Sequence, residues 1–524
     1  MDHPKADSFH LISFETPEFS LPLFDNADFV GGPKASVIIG PNGSNKSRVL
    51  SLLIDELSNI DGLRKQLNPS KAIDFEKPTA FKVQQYSLFP DEPQTSRENI
   101  PDRPMRARFD AKISYQQDGH HWVVERTSQR LRVWKDSHLV DPSSFAFPDR
   151  AIAVAHLPTD RYKFIRNQEH GFYAYLGLRQ NTNMTTTGAL ETKVVLGFIE
   201  AIKRARAIDI FKHWFAELEI EMPATIEIGL SRRRYYETGS FEEFQHEVLS
   251  QIERTRGRQR ELTQEEGEGL AELWQFILSL RDYPLHRRQA RKKYYPRAFG
   301  VSFELGQLPE IFDTHDVSKM LEIGRRLRVF SDISLLFRKN DMEVQFSDLS
   351  SGEQQILGTI IRFVAELGGH SVVVIDEPEV SLHPAWQRMY LPRLLETLQS
   401  FPQTHAIIAT HSHFMVSDVS DKFASLTIAD RNADRLFEPF EGDVYGRSPE
   451  NILYRAFGIA TTSNFYVERD LTKALRIISG VDEMNMLALN TIYQRLQVLD
   501  AEDNEALGEI LTRIKMVLDR EIQQ

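Results

Sequence analysis

Apolar and polar positions form several distinct patterns along this chain, and the first lies near residue 40. The run ASVIIG at residues 35–40 is almost entirely apolar, which predicts a buried strand. The segment SRVLSLLIDELSNI comes shortly after it, and its apolar residues Val49, Leu50, Leu53 and Leu57 recur at helical spacing. The pattern therefore predicts a strand, a turn and a helix in succession.

The other patterns predict how the chain is organised. Residues 107–140 alternate in short stretches around the turn QQDG, which predicts an antiparallel meander. The pattern becomes helical and charged near residue 185, and strands alternate with helices again from about Phe346 to 430. We therefore expect an α/β protein with four parts: a first lobe with an antiparallel β flank at 1–185, a charged helical insertion at 186–325, a second lobe at 326–450 and a helical tail at 451–524.

The last predicted helix carries one apolar stripe. Its members are Leu507, Ile510, Leu511, Ile514 and Leu518. The stripe either docks a partner protein or packs on the second lobe, and we expect the second arrangement.

Composition limits the class of protein. The chain has 524 residues, enough for more than one domain, and no cysteine, which excludes disulfides, thiolate metal sites and a cysteine nucleophile. The net charge of −12 argues against a protein that coats nucleic acid over its whole surface, although it permits basic patches. No apolar run approaches the roughly 18 residues of a membrane span, and the first ten residues do not resemble a secretion signal. We therefore expect a soluble cytoplasmic protein with no membrane partner.

The loop after the first predicted strand has the composition of a phosphate-binding P-loop. Its spacing is G-x-x-x-x-G-K-[ST], except that Asn45 takes the place of the second glycine. That place often requires a positive φ, which asparagine tolerates at a cost of about 1 kcal/mol. We therefore expect a nucleotide site with slow or conditional turnover; the alternative is a plain strand–turn–helix connection. The loop residues are Gly40, Pro41, Asn42, Gly43, Ser44, Asn45, Lys46 and Ser47.

A turn of small residues opens a long apolar helix in the second half of the chain. The start of such a helix offers free N–H groups and the positive end of the helix dipole, which suit a γ-phosphate. The residues of this turn are Ser350, Ser351, Gly352, Glu353 and Gln354.

Two buried strands farther along end in polar residues. The strand in SVVVIDEP delivers Asp376 and Glu377, of which one carboxylate can hold Mg²⁺ and the next can orient an attacking water. The strand in HAIIATHSHF ends at Thr410, and His411 follows it. A histidine in this position can form a hydrogen bond with a γ-phosphate and so respond to its loss.

These four elements, in this order, resemble the ABC ATPase superfamily, in particular its soluble branch with RecF, the SMC proteins and the OLD-type ATPases. The resemblance implies a P-loop NTPase head in which 40–47 are the Walker A motif and 350–354 the signature. It also implies that Asp376 and Glu377 form Walker B and that His411 is the switch histidine.

The same resemblance implies cofactors, roles and an oligomer. ATP and Mg²⁺ are the implied cofactors, with Ser47 and Asp376 as metal ligands. The implied catalytic residues are Lys46, Glu377 and His411. In this superfamily the signature of one subunit closes on the Walker A site of another, so a homodimer or a higher even oligomer is implied. His383, where transporter ATPases usually have Asp, resembles the RecF and OLD branch and argues against a transporter.

Local features narrow the resemblance further. The loop GPNGSNKS, the short insertion, the signature LSSGEQQ and a helical tail in place of a nuclease resemble the anti-phage ATPases of the Septu PtuA kind, including those attached to retrons. That subgroup implies an ATPase that dimerises on ATP and regulates a separate HNH-type nuclease. Two alternatives stay open: a RecF-like or SMC-like DNA-binding ATPase in repair, and an ATP-dependent assembly scaffold with little turnover.

A basic stretch in the insertion is a candidate nucleic-acid site. Its cations stand beside Tyr294 and Tyr295, a combination that suits a phosphate backbone and stacked bases of DNA or retron RNA–DNA. The alternative is a solvated helix face that balances acidic surroundings. The cations are Arg287, Arg288, Arg291, Lys292, Lys293 and Arg297.

Overall fold

The computed structural model describes most of the chain. The described residues are 9–24, 34–67, 110–127, 130–157, 159–163, 171–177, 187–204, 206–256, 264–287, 299–304, 315–416, 424–431, 435–440, 465–482, 484–497 and 505–522. They divide into two compact units. The first is drawn from the ranges 1–163, 167–175 and 368–524, and the second from 164–166 and 176–367.

The strands and helices are numbered here in chain order. The strands are β1 Phe9–Glu15, β2 Ser20–Pro22, β3 Lys34–Ile39, β4 Ala111–Gln117, β5 His120–Thr127, β6 Arg130–Lys135, β7 His138–Val140, β8 Arg150–Ala155, β9 Tyr173–Tyr175, β10 Glu221–Leu230, β11 Leu285–Arg287, β12 Phe299–Glu304, β13 Phe330–Lys339, β14 Met342–Gln345, β15 Ser371–Asp376, β16 Thr404–Thr410, β17 Ala424–Ala429 and β18 Phe437–Pro439. The α-helices are α1 Lys46–Leu67, α2 Thr187–Ile202, α3 Ala207–Ala216, α4 Arg234–Glu237, α5 Phe241–Arg256, α6 Gln264–Leu280, α7 Val317–Arg326, α8 Ser351–Glu366, α9 Pro384–Gln399, α10 Phe465–Ile478, α11 Met486–Leu496 and α12 Glu505–Ile522.

The first unit contains a mainly parallel sheet that carries the loop 40–45. Its strand order is β18-β17-β3-β16-β15-β8-β9, and β18 alone runs antiparallel to its neighbour in this sheet. Every residue of β3, β15 and β16 is buried, as their almost continuous apolar runs predict. The predicted strands are confirmed. Because parallel strands end at the same edge of a sheet, the residues after β3, β15 and β16 come together.

A second sheet of the first unit is antiparallel. Its order is β2-β1-β4-β5-β6-β7, and the successive pairs of β4, β5 and β6 form the predicted meander. Alternate residues of β4 and β5 are buried, including Ile113, Tyr115, Trp122 and Val124. The predicted antiparallel flank is therefore confirmed.

Helix α1 follows the loop and packs into the first unit through the predicted apolar face. Val49, Leu50, Leu53 and Leu57 are fully buried. Glu56 on the same helix accepts two hydrogen bonds, of 2.5 and 2.7 Å, from the guanidinium of Arg126 on β5. This buried ion pair ties the helix that begins at the loop to the antiparallel sheet.

The second unit contains a sheet as well as helices, so the prediction of a helical insertion at 186–325 was wrong in part. Strands β10, β11 and β12 lie within that range and join β13 and β14 in an antiparallel sheet of order β11-β12-β10-β13-β14. In β10 the apolar residues Ile226, Ile228 and Leu230 alternate with Thr225 and Glu227, although Glu227 is buried as well. This alternation is typical of a strand, but charged residues inside it conceal it within a helical region.

The tail packs on itself, so the expectation that its apolar stripe packs on the second lobe was wrong. Leu507, Ile510, Ile514 and Leu518 on α12 form a cluster with buried residues of α10 and α11, among them Leu471. Leu511 packs at the edge of this cluster. A stripe that two neighbouring helices already cover gives no reason to expect a partner there. None of the helices in the described ranges combines the length and the apolar character that a membrane span requires.

Candidate nucleotide-binding site

The loop between β3 and α1 has the backbone that its unusual sequence predicts. Gly40 packs closely against the end of β17, because a Cβ atom at Gly40 would lie 2.3 Å from the carbonyl oxygen of Ala429. Gly43 has a φ of +82°, which suits glycine. Asn45 has a φ of 67°, in the left-handed region. The prediction that asparagine stands here because this place requires a positive φ is confirmed.

Lys46 lies against the inner surface of the loop. Its Nζ donates hydrogen bonds to the carbonyl oxygens of Gly40, at 2.7 Å, and Pro41, at 3.1 Å. Burial lowers the pKa of Lys46 to about 8, although the nearby carboxylates of Glu377, Glu379 and Asp376 act in the opposite direction. Pro41, Asn42 and Gly43 are exposed, whereas the side chains of Ser44 and Lys46 are buried.

Ser47 and Asp376 form a pair across the sheet edge. Asp376 is the last residue of β15, and Ser47 Oγ in the first turn of α1 donates a hydrogen bond of 2.9 Å to Asp376 Oδ1. Burial raises the pKa of Asp376 to about 7, and the hydrogen bond from Ser47 opposes this shift.

The pair has the chemistry of a magnesium site that a nucleotide completes. A hydroxyl and a carboxylate are both oxygen ligands, and Mg²⁺ is usually bound by one or two protein groups together with substrate phosphates and water. No group of three or more histidine, aspartate or glutamate side chains in the described residues is arranged to hold a metal by itself. The hydroxyl of Ser47 and the carboxylate of Asp376 fit a metal that arrives with phosphate oxygens.

His411 connects the loop to Glu377. Its Nδ1 donates a hydrogen bond of 2.8 Å to the Gly40 carbonyl oxygen and lies 3.1 Å from Lys46 Nζ. Its Nε2 lies 3.2 Å from Glu377 Oε1. Glu377 has a φ of 50°, and its N–H donates to the carbonyl oxygen of Ala409 at 2.9 Å. The structure thus brings together the predicted residues of the loop, both strand-end carboxylates and the histidine.

Two contacts at this edge were not predicted from the sequence. Glu379 Oε1 accepts a hydrogen bond of 2.5 Å from the backbone N–H of His411. Ser412 Oγ donates a hydrogen bond of 2.6 Å to Gln387 Oε1 on α9. The only signal for the first contact is a third acidic residue in DEPE, and a side chain that binds a distant backbone amide has no sequence pattern of its own.

The predicted signature residues lie together at the start of α8 in the second unit. Ser350 is the N-cap residue and accepts a hydrogen bond from the N–H of Glu353, whose carboxylate in turn accepts from the Ser350 N–H at 2.7 Å. Glu353 is buried and also forms an ion pair with Lys339. Gln354 Nε2 donates to the Leu349 carbonyl oxygen at 2.8 Å.

Burial divides the first four signature residues into two groups. Ser350 and Ser351 are exposed, whereas Gly352 and Glu353 are buried. Glu353 therefore holds the turn in shape, and the exposed part of the signature consists of the two serines.

The structure describes only one of the predicted nucleic-acid residues. Arg287 is the last residue of β11 and is exposed. The other five lie outside the described residues: Arg288, Arg291, Lys292, Lys293 and Arg297.

The chain is similar to several curated proteins over short segments. It is 32% identical over 153 residues to protein ea59 of Escherichia phage lambda, which covers 29% of each chain. It is 34% identical over 91 residues to the retron Ec83 probable ATPase of Escherichia coli, which covers 15% of this chain and 16% of that one. It is 32% identical over 125 residues to the OLD nuclease of Thermus scotoductus, which covers 23% of each. The matches thus span less than a third of the length of each of these relatives.

Comparisons with solved structures and family models cover more of the chain. The SMC head domain from Thermotoga maritima aligns over 83% of this chain and 100% of that domain, with 13% identity and a TM-score of 0.28. The family model described as "AAA domain, putative AbiEii toxin, Type IV TA system" matches residues 35–417, a range that contains the loop, the signature, both strand-end carboxylates and His411. Because this match covers well over half of the 524 residues, the chain belongs to this P-loop ATPase family.

Proposed function

We propose that this protein binds ATP with Mg²⁺ at the loop 40–47, hydrolyses it, and uses the cycle to regulate a separate HNH-type nuclease in anti-phage defence. The observation that carries the ATPase part is the 2.9 Å hydrogen bond between Ser47 Oγ and Asp376 Oδ1, beside Lys46 and Glu377. Membership of a P-loop ATPase family supports it. We place this activity in the cytoplasm.

Each residue of the site has a distinct role in this proposal. Ser47 and Asp376 would hold Mg²⁺, which would neutralise charge on the phosphate oxygens. Lys46 turns from the carbonyl oxygens of Gly40 and Pro41 toward the β- and γ-phosphates. Glu377 orients and polarises the attacking water.

His411 would respond to the state of the γ-phosphate. Its ring contacts the Gly40 carbonyl oxygen on one side and faces Glu377 on the other, so it connects the phosphate loop to the proposed base. Loss of a phosphate near Lys46 would change both contacts together. This arrangement supports a role as a sensor of hydrolysis.

ATP would also bring two copies of the chain together. The exposed serines Ser350 and Ser351 stand at the N-terminus of α8, where free N–H groups can bind a phosphate. We propose that this turn closes on the loop 40–47 of a second copy, as the resemblance to ABC ATPases implies. ATP binding then closes the dimer, and hydrolysis opens it.

The proposed nuclease partner rests on the relatives and on the Septu PtuA resemblance. One similar protein is named as a retron probable ATPase and another as an OLD nuclease. The resemblance supports a PtuA-like division of labour, in which the HNH nuclease is a separate polypeptide. Any nucleic-acid contact through Arg287 and its neighbours would be secondary to this partnership.

Phosphate release by the purified chain tests the ATPase part. The wild type is expected to release phosphate from ATP in a Mg²⁺-dependent reaction, and Glu377→Gln should lower kcat by about 100-fold or more, as loss of a general base does. Lys46→Ala should abolish binding of a fluorescent ATP analogue. Glu396→Gln, on an exposed part of α9, is the matched control and should behave as wild type. Equal rates in wild type and Glu377→Gln would overturn the proposal.

Native mass spectrometry tests the assembly. The tagged Glu377→Gln variant, purified with ATP from cells that carry the neighbouring genes, should give a mass of paired copies, nucleotide and a smaller protein with an HNH motif. A dimer with nucleotide and no further protein would contradict the nuclease part and leave the ATPase part standing.

A further inference from the structure

The segment between β15 and α9 is a tight double turn that directs Glu379 toward the end of β16. Its first residue, Glu377, and its fifth, Ser381, both have positive φ angles, of 50° and 64°. The N–H of Val380 donates to the Glu377 carbonyl oxygen at 3.3 Å, and the N–H of Leu382 donates to that of Glu379 at 3.0 Å. Glu379 is thus held by backbone contacts on both sides and has a defined direction.

The two carboxylate oxygens of Glu379 differ in their contacts. Oε1 accepts the hydrogen bond of 2.5 Å from the backbone N–H of His411. Oε2 is buried and has no hydrogen-bond partner among the described residues. A buried carboxylate oxygen without a partner is unfavourable, so stability alone does not explain an acidic residue here. Its charge acts on Lys46, where it raises the pKa of the lysine against the effect of burial.

The hydrogen bond from the His411 N–H to Glu379 fixes the backbone of His411, and the ring of the same residue makes two contacts. The ring spans the distance between the Gly40 carbonyl oxygen and Glu377, with contacts of 2.8 and 3.2 Å. A small rotation of the backbone at His411 would break one of these contacts. The neighbouring hydrogen bond between Ser412 and Gln387 secures the next residue, and among the described residues Glu379 is the acceptor of the His411 N–H.

We propose that Glu379 is a positioning residue, which orients His411 through its backbone amide so that the ring connects the phosphate loop to Glu377. This inference rests on the proposed ATPase function and adds a sixth side chain to the five that have a proposed role in the site. Because Oε1 makes the contact, a glutamine retains the acceptor and an alanine does not. The proposal therefore distinguishes two variants of the same residue.

Steady-state kinetics and nucleotide binding give the first test. Glu379→Ala should lower kcat about 10- to 100-fold, as loss of a hydrogen bond from a charged group does, while the Kd of a fluorescent ATP analogue changes by less than about threefold. Glu379→Gln should keep kcat within about threefold of wild type. Glu396→Ala is the matched control and should keep the wild-type kcat. Wild-type kcat in Glu379→Ala, or equal losses in both Glu379 variants, would overturn the proposal.

Histidine ring NMR gives a second test that needs no turnover. In protein labelled with ¹⁵N-histidine, the His411 signals are identified by their loss in His411→Gln. They should move in Glu379→Ala and stay near their wild-type positions in Glu379→Gln, while the other histidines report that both variants are folded. If wild type releases no phosphate, the proposed function fails, but the ring signals still decide the role of Glu379. Unmoved His411 signals in Glu379→Ala would contradict it directly.

Discussion

Ser47 Oγ donates a hydrogen bond of 2.9 Å to Asp376 Oδ1, and this contact joins the first turn of α1 to the end of β15. The two residues are 329 positions apart in the sequence. They meet because β3 and β15 belong to the same parallel sheet, with only β16 between them, and both strands end at the same edge. The contact is therefore a property of the fold as well as of the two motifs.

The first prediction concerns the metal dependence of the pair. Ser47→Ala removes one oxygen ligand and leaves the loop backbone in place. The Mg²⁺ concentration that gives half-maximal phosphate release should rise by about 10- to 100-fold, a typical effect of residues that hold or orient a metal. Ser58→Ala removes a hydroxyl that donates to the Ile54 carbonyl oxygen on the same helix, and this control should keep the wild-type dependence. An unchanged dependence in Ser47→Ala would show that Ser47 is not a ligand.

The second prediction concerns Gly40. In Gly40→Ala the new Cβ atom would meet the carbonyl oxygen of Ala429 at 2.3 Å, so the loop or β17 must shift. We expect a loss of about 1–3 kcal/mol in the free energy of unfolding, together with weaker binding of an ATP analogue. Gly62→Ala, on α1, has nothing within 4 Å of its Cβ and should be neutral or slightly stabilising. Chemical unfolding and analogue titration measure both effects, and a fully wild-type Gly40→Ala would disprove the close contact.

The loop also shows how far sequence reasoning reached. The positive φ of Asn45 was predictable because a single residue in a known motif must satisfy a local backbone requirement. The contact between Glu379 and the His411 amide was not, because it depends on the neighbouring positions of β15 and β16 and leaves no local pattern. The same limit applies to β10, whose pairing with β13 decides its conformation more than its composition does. Local motifs identified the residues of the site, whereas the contacts that position those residues depend on long-range strand pairing.

The third prediction concerns the buried ion pair that supports α1. Glu56 and Arg126 are each 1% exposed and share two hydrogen bonds. Glu56→Gln should cost about 3–5 kcal/mol of unfolding free energy, because it removes the carboxylate charge that faces the buried Arg126 guanidinium. The exposed pair of Arg513 and Glu509 on α12 is the comparison, and Glu509→Gln should cost at most about 1 kcal/mol. Similar costs for the two variants, in chemical unfolding of each, would contradict this explanation.

The fourth prediction concerns stability at acid pH and rests on His10 in β1. Burial, with a smaller contribution from Lys34, lowers the pKa of His10 to about 3, and its Nδ1 lies 2.9 Å from Lys34 Nζ. The unfolded chain, with a histidine pKa near 6.5, binds a proton between these values that the folded chain does not. The contribution of His10 is therefore fully present above pH 6.5 and is lost as the pH falls toward 3. In His10→Asn the free energy of unfolding should fall less steeply between pH 6.5 and 4 than in wild type.

His138→Asn, at an exposed position on β7, is the control for this prediction and should keep the wild-type slope. Equal slopes in wild type and His10→Asn would mean that burial does not keep His10 neutral in the folded chain, since a histidine whose pKa falls on folding must contribute to the slope.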